Sequence, residues 1–130
     1  REVPRFRAVL RFPGALEVLS PYVENYWESV FVSRSQPFVA TWTPTAEPVW
    51  LSLRQSGRNA NEDLAVFCRF EGQAGTGAVP VALTSRLAQS QQAATYAFVV
   101  HGGEVKLQAG EYPVLIYAWT GSGFFVEVTE

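Results

Sequence analysis

The chain has 130 residues, a formal net charge of −2 and one cysteine, Cys68, and 48% of its residues are apolar. This length predicts one domain over residues 1–130, with a core of its own. The nearly neutral charge argues against a nucleic-acid surface, which is normally strongly basic. One cysteine cannot form an internal disulfide framework and weakly favours a reducing, cytoplasmic location. No apolar run approaches the roughly 20 residues that a membrane-spanning helix needs.

Apolar residues alternate with polar ones in short segments along the chain, which is typical of β-strands. The first such segment covers residues 6–12 and ends at Pro13-Gly14. Residues 15–26 fit either a short strand or a helical turn, and the polar residues 84–94 are too sparsely apolar to predict an amphipathic helix. Further strands are predicted over residues 27–32, 38–42, 49–53, 64–70, 79–83 and 96–100.

The C-terminal residues 106–130 contain two apolar runs, 112–119 and 124–128, on either side of Thr120-Gly121-Ser122-Gly123. Period-two alternation around a glycine-rich tetrapeptide predicts a closing β-hairpin with its turn at residues 120–123. Gly110 predicts a tight turn before this hairpin, and His101-Gly102-Gly103 predicts another turn followed by a short strand over residues 104–107. Together these segments predict an all-β fold, an antiparallel β-sandwich or jelly roll of about eight strands.

Four sequence segments carry a resemblance to a known family. They are SQPFVATW (residues 35–42), VWLSLRQSGR (49–58), EDLAVFCRF (62–70) and the ending VKLQAGEYP…GFFVEV (105–128). In this order and spacing they resemble the calpain third domain, with the likeness strongest over residues 25–130. The resemblance implies an eight-stranded antiparallel sandwich beside a protease core. In calpains this domain is non-catalytic and couples calcium, phospholipid or partner binding to protease activation.

From this resemblance we expect a non-catalytic regulatory or interaction module rather than an enzyme, with no cofactor. Its expected partner is another protein or an adjacent protease-like domain, and phospholipid is a further candidate. Calcium binding is doubtful because the loop over residues 43–48 has only Glu47 where conventional family members have an acidic run, and calcium takes six to eight oxygen ligands. Glu62-Asp63 has no third carboxylate close in sequence and is better explained as a solvated turn. No metal site is predicted.

Cys68, His101 and Asn59 or Asn61 are the residue types of a papain-like site. However, Cys68 lies within a predicted strand, on the face of Val66 and Phe70, where a thiol behaves as a small buried apolar group. We therefore predict no catalytic residue.

Arg5, Arg7 and Arg11 are predicted to share one face of the first strand, as a stripe that binds anions or lipid headgroups. The ordinary explanation is a solvated face whose arginines pair with glutamates of a neighbouring strand, and it is favoured.

The four tryptophans, Trp27, Trp42, Trp50 and Trp119, suggest a second class of protein, one that binds carbohydrate. Trp50 and Trp119 lie opposite the apolar faces of their strands, so a carbohydrate-binding β-sandwich is the alternative function.

Overall fold

The computed structural model describes residues 4–11, 14–25, 28–57 and 63–130. The described residues form eight strands and one short helix. The strands are β1 (Val18–Ser20), β2 (Ser29–Ser33), β3 (Phe38–Trp42), β4 (Val49–Gly57), β5 (Leu64–Phe70), β6 (Thr76–Val79), β7 (Ala93–Ala109) and β8 (Tyr112–Thr129), and the helix α1 is Val81–Thr84. A single 3₁₀ turn, Gly72–Ala74, precedes β6. No helix in this described part is long enough to cross a membrane.

Two sheets pack face to face, one with the strand order β1-β3-β6 and one with the order β2-β8-β7-β4-β5. The predicted all-β sandwich is thus confirmed. All strand pairs are antiparallel except β2 and β8, which run parallel. Alternation explains the core: Leu51 and Leu53 of β4 are fully buried, as is Ala40 of β3. Burial of each leucine side chain stabilises the folded state by about 2 kcal/mol.

Strands β7 and β8 form one long hairpin whose turn is at Gly110-Glu111. Gly110 has a φ of 63°, a conformation that glycine adopts at little cost, so the predicted turn there is confirmed. The predicted turns at residues 101–103 and 120–123 are wrong. Pairing continues through both, with Gly102 opposite Trp119 and Val100 opposite Gly121.

The predicted first strand is also wrong over the residues that the structure describes, because residues 4–11 belong to neither sheet. Pro4 lies beside Gly110 and Leu10 beside Gly103. Because Gly103 on β7 and Gly110 at the hairpin turn are seven residues apart, residues 4–10 must be nearly fully extended along the hairpin. The segment therefore covers the hairpin with side chains instead of pairing with a strand edge.

The predicted strand over residues 79–83 is wrong except at Val79, which is the last residue of β6, and the chain turns at Pro80. The Pro80 carbonyl accepts hydrogen bonds from the amides of Leu83 and Thr84, at 2.9 and 3.1 Å, which closes the helical turn α1. A proline at a helix start needs no amide hydrogen, so Pro80 fits this position better than a strand interior.

Candidate binding face on the five-stranded sheet

One face of the five-stranded sheet points away from the small sheet, and we call it the aromatic face. Strand register places eight exposed large apolar side chains on it. These side chains are Phe31, Phe67, Tyr96, Phe98, Leu115, Tyr117, Trp119 and Phe125. Their neighbours along each strand point to the opposite face, where several, such as Val30, Val66 and Val126, are buried in the core. The strands are therefore apolar on both faces rather than on one.

The outer face of the small sheet is different. Along its three strands, all within the described residues, the exposed large apolar side chains are Leu19 and Val39. Scattered exposed apolar residues are normal on a soluble protein, whereas a contiguous apolar patch marks a binding surface. The contrast between the two sheets therefore identifies the aromatic face as the candidate site.

A groove with a volume of about 530 Å³ crosses one end of the aromatic face. Trp50, Tyr117 and Trp119 line it, and Gly102 lies beneath Trp119. The rings of Tyr117 and Trp119 have centroids 5.2 Å apart and an interplanar angle of 33°. Because a Cβ at Gly102 would overlap Cδ1 of Trp119, the missing side chain is what lets the indole lie against the sheet. The result is an exposed ring surface that lies against the sheet.

Arg54 lies beside this groove, between two phenylalanines. Its guanidinium carbon is 5.2 Å from the ring centroid of Phe67 and 5.8 Å from that of Phe98. Ser52 pairs with both phenylalanines across the neighbouring strands and is buried. Gly123 faces Phe98, and a Cβ there would be 3.1 Å from Cε1 of that ring. The two rings therefore lie on either side of Arg54.

The charged groups at the edge of the groove form local ion pairs. Arg69 lies 3.6 Å from Glu71, and Lys106 lies 3.2 Å from Glu104. Exposed pairs of this kind stabilise the fold by less than about 1 kcal/mol. Arg54 takes part in none of the ion pairs found among the described residues.

The structure brings two of the predicted binding residues, Trp50 and Trp119, together in the groove. The other two tryptophans do not join them. Trp42 is buried in the core, where its indole nitrogen donates a 2.9 Å hydrogen bond to the Gly72 carbonyl. Trp27 lies outside the described residues.

Arg5, Arg7 and Arg11 are exposed but do not belong to a strand, so the predicted stripe along one strand face is wrong. The glycine contacts of residues 4–11 place this segment on the inner face of the hairpin, opposite the aromatic face. No ion pair joins the three arginines to another residue in the part of the chain that the structure describes. The three arginines are therefore a candidate surface for anions or lipid headgroups that is separate from the aromatic face.

Cys68 and His101 do not meet. They lie on β5 and β7, with β4 between them, so about 10 Å separates the two strands. His101 is buried within β7 rather than at a turn, and its Nε2 is 2.6 Å from the Gly14 carbonyl oxygen. Burial raises the pKa of the Cys68 thiol, which opposes formation of a nucleophilic thiolate. Asn59 and Asn61 lie outside the described residues.

The acidic candidates are dispersed. Glu47 and Asp63 are both exposed, and Glu62 lies outside the described residues. Over the described ranges, no three His, Cys, Asp or Glu side chains come together in a way that could hold a metal ion.

The sequence interpretation did not identify Arg54, Phe67, Phe98 or Tyr117 as site residues. A signal was present: alternation places Phe67 opposite Val66 and Cys68, so aromatic residues occupy the polar face of a strand that already has an apolar face. Their proximity depended on strand order and register, which alternation along one strand does not specify.

Comparison with known proteins found no matching family model, curated protein or solved structure. The resemblance to the calpain third domain therefore depends on the sequence motifs alone and stays a prediction.

Proposed function

We propose that this protein is a non-catalytic interaction module that binds a protein partner through the aromatic face. The observation that carries the proposal is the set of eight exposed large apolar side chains on one face of one sheet. Protein interfaces are enriched in aromatic residues and arginine and depleted in lysine. The aromatic face has this composition, because seven of its eight exposed apolar side chains are aromatic and Arg54 lies among them.

The resemblance to the calpain third domain implies the same class of role. In that family the sandwich lies beside the protease core, is non-catalytic and couples calcium, phospholipid or partner binding to protease activation. An adjacent protease-like domain is therefore the partner that the resemblance favours, and the aromatic face is the surface that we propose for the contact.

The proposal is tested with a phage-displayed library of random linear peptides selected on the immobilised protein. We expect enriched peptides whose binding is lost when Phe98 and Phe125 are both replaced by serine. A matched control is Val39→Ser, which removes an exposed apolar side chain from the small sheet. Peptides should bind this control as they bind the wild type. Circular dichroism shows whether each variant is folded.

Failure to enrich any peptide, or enrichment of peptides that bind the double variant equally well, would contradict the proposal. Self-association is a separate outcome, checked by analytical ultracentrifugation. A concentration-dependent dimer that is lost in the Phe98→Ser/Phe125→Ser variant would identify a second copy of the chain as the partner.

A second candidate function, carbohydrate binding, is favoured by the groove. Tryptophan and tyrosine combine an apolar ring face with a polar group, and the apolar C–H faces of sugar rings stack on such surfaces. Trp50, Tyr117 and Trp119 line one groove together with the charged Arg69 and Glu104, which can hydrogen-bond to hydroxyl groups. Mostly apolar pockets with a few polar groups are typical small-ligand sites.

This candidate is tested on a glycan array and by tryptophan-fluorescence titration of any glycan that binds. Micromolar binding with quenching, lost in Trp50→Ala and Trp119→Ala but kept in Phe125→Ala, would place carbohydrate binding ahead of protein binding. An array without a positive glycan would remove this candidate.

A further inference from the structure

We infer that the protein segment bound by the aromatic face carries a carboxylate that docks on Arg54, between apolar side chains that cover Phe67 and Phe98. This inference rests on the proposed function and specifies the chemistry of the partner. The carboxylate belongs to an aspartate, a glutamate or a chain terminus of that partner.

The guanidinium of Arg54 lies between two aromatic rings. Phe67 and Phe98 approach it from the neighbouring strands β5 and β7, at 5.2 and 5.8 Å. Contact with two rings restricts the long arginine side chain before any ligand binds, so less conformational entropy is lost on binding. A guanidinium held over aromatic rings keeps its N–H groups as donors for a planar acceptor. Arg54 is therefore held ready for a planar acceptor.

The guanidinium of Arg54 has no carboxylate partner among the described residues. Both other cations near the groove have a carboxylate within 4 Å, Glu71 for Arg69 and Glu104 for Lys106. Arg54 has none in the described part of the chain, although Asp63 lines the same surface hollow. A carboxylate from a partner would satisfy the guanidinium with two parallel hydrogen bonds.

Exposed apolar rings surround Arg54 on the aromatic face. Tyr96 lies opposite Arg54 on β7, on the side away from Ala65, and Phe125 lies one strand further, on β8, with its ring centroid 5.2 Å from that of Tyr96. A partner that covers these rings removes water from the ion pair, which strengthens its electrostatic attraction. Arginine surrounded by aromatic residues is also a frequent composition of interface hot spots. These features favour a partner segment in which one acidic residue has apolar neighbours.

The experiment uses the peptides selected on the wild-type protein. We expect aspartate or glutamate at a common position among apolar residues. The highest-affinity peptide is then synthesised with this acidic residue and with its amide counterpart. Titration should show that the wild type binds the acidic peptide about tenfold more tightly, or better, as loss of a charge-assisted contact predicts.

Two variants assign the effect to Arg54. Arg54→Gln should bind the acidic and amide peptides equally, and Arg54→Lys should recover only part of the preference because it lacks the planar fork. Arg69→Gln is the charge-matched control on the same face and should keep the preference. If Arg69→Gln removes the preference as fully as Arg54→Gln, general electrostatic attraction is responsible and the inference is overturned.

The two proposals fail differently. Selected peptides without a common acidic residue, or an acidic peptide bound equally by the wild type and Arg54→Gln, would overturn the role of Arg54. The proposed function would survive that result if the same peptides still require Phe98 and Phe125. Absence of any peptide specific for the aromatic face contradicts both.

Discussion

The indole of Trp119 lies against Gly102, its partner in the β7–β8 ladder, in the space that a side chain at Gly102 would fill. An added Cβ would overlap both the indole and the Ala118 carbonyl oxygen, and the latter cannot move without disturbing the strand. Close approach of a ring, rather than a turn, thus explains this glycine.

Gly102→Ala should therefore destabilise the protein by about 2 kcal/mol, as overpacking of a fitted contact does. It should also displace Trp119, which is measured as a change in tryptophan fluorescence. Gly103→Ala is the adjacent control, because its Cβ would meet Leu10 at an ordinary 3.5 Å. Equal stability losses in the two variants would contradict the proposed role of Gly102.

Glycine also explains why the end of the sheet was mispredicted. Gly102 and Gly123 sit under the rings of Trp119 and Phe98, but in the sequence both belong to glycine-rich segments that are typical of turns. The alternation nevertheless keeps one phase on both sides of the glycines, because Val99, His101 and Val105 all lie on the inner face of β7. A turn would ordinarily reset that phase.

Two strands, β3 and β5, were predicted at their observed bounds. Both β3 and β5 have clear alternation and are bounded by polar or turn-forming residues. The N-terminal residues 6–11 alternate equally well but lie on the hairpin as an unpaired segment. Alternation reports that one side of a segment is apolar; whether it pairs with a strand depends on the edges available in the folded sheet.

Gln55 on β4 forms hydrogen bonds with Ala88, in the segment between α1 and β7, and with Thr95 on β7. Its amide nitrogen donates to the Ala88 carbonyl at 2.7 Å and to the Thr95 hydroxyl at 2.8 Å, and its carbonyl accepts from the Ala88 amide at 2.8 Å. Gln55 is buried, so replacement by leucine would leave the Ala88 backbone groups without these partners.

We expect Gln55→Leu to lower the free energy of unfolding by about 3 kcal/mol, measured by urea denaturation. Gln108→Leu is the control, because Gln108 is exposed on the hairpin and should change stability by less than about 0.5 kcal/mol. A loss below about 1 kcal/mol for Gln55→Leu would show that the three hydrogen bonds are dispensable.

Cys68 gives a prediction with a definite pH direction. Burial raises the pKa of its thiol in the folded protein above the value in the unfolded chain. A raised pKa means that the folded state holds the proton more tightly, so this contribution to stability is complete below the unfolded pKa. It is lost as the pH rises through the folded pKa.

The free energy of unfolding of the wild type should therefore fall more than that of Cys68→Ala when the pH rises above about 8.5, the usual thiol pKa. The difference between the two proteins should be constant at lower pH. Urea denaturation of both at a series of pH values measures it, and a constant difference across the whole alkaline range would contradict the raised pKa.

The N-terminal arginines give the last prediction. Arg5, Arg7 and Arg11 are exposed, and no ion pair of the described residues involves them, so the expected pairing with glutamates across a sheet is not found there. Each arginine near an anionic bilayer contributes about 1 kcal/mol. We therefore expect weak co-sedimentation with phosphatidylserine vesicles at low salt. Added salt should abolish it because ions screen these exposed charges. Replacing all three arginines by glutamine should also abolish the co-sedimentation. The charge-matched variant Arg69→Gln/Arg86→Gln/Lys106→Gln should still bind the vesicles.

Equal vesicle binding by the two triple variants would show that the N-terminal segment has no special part in lipid contact.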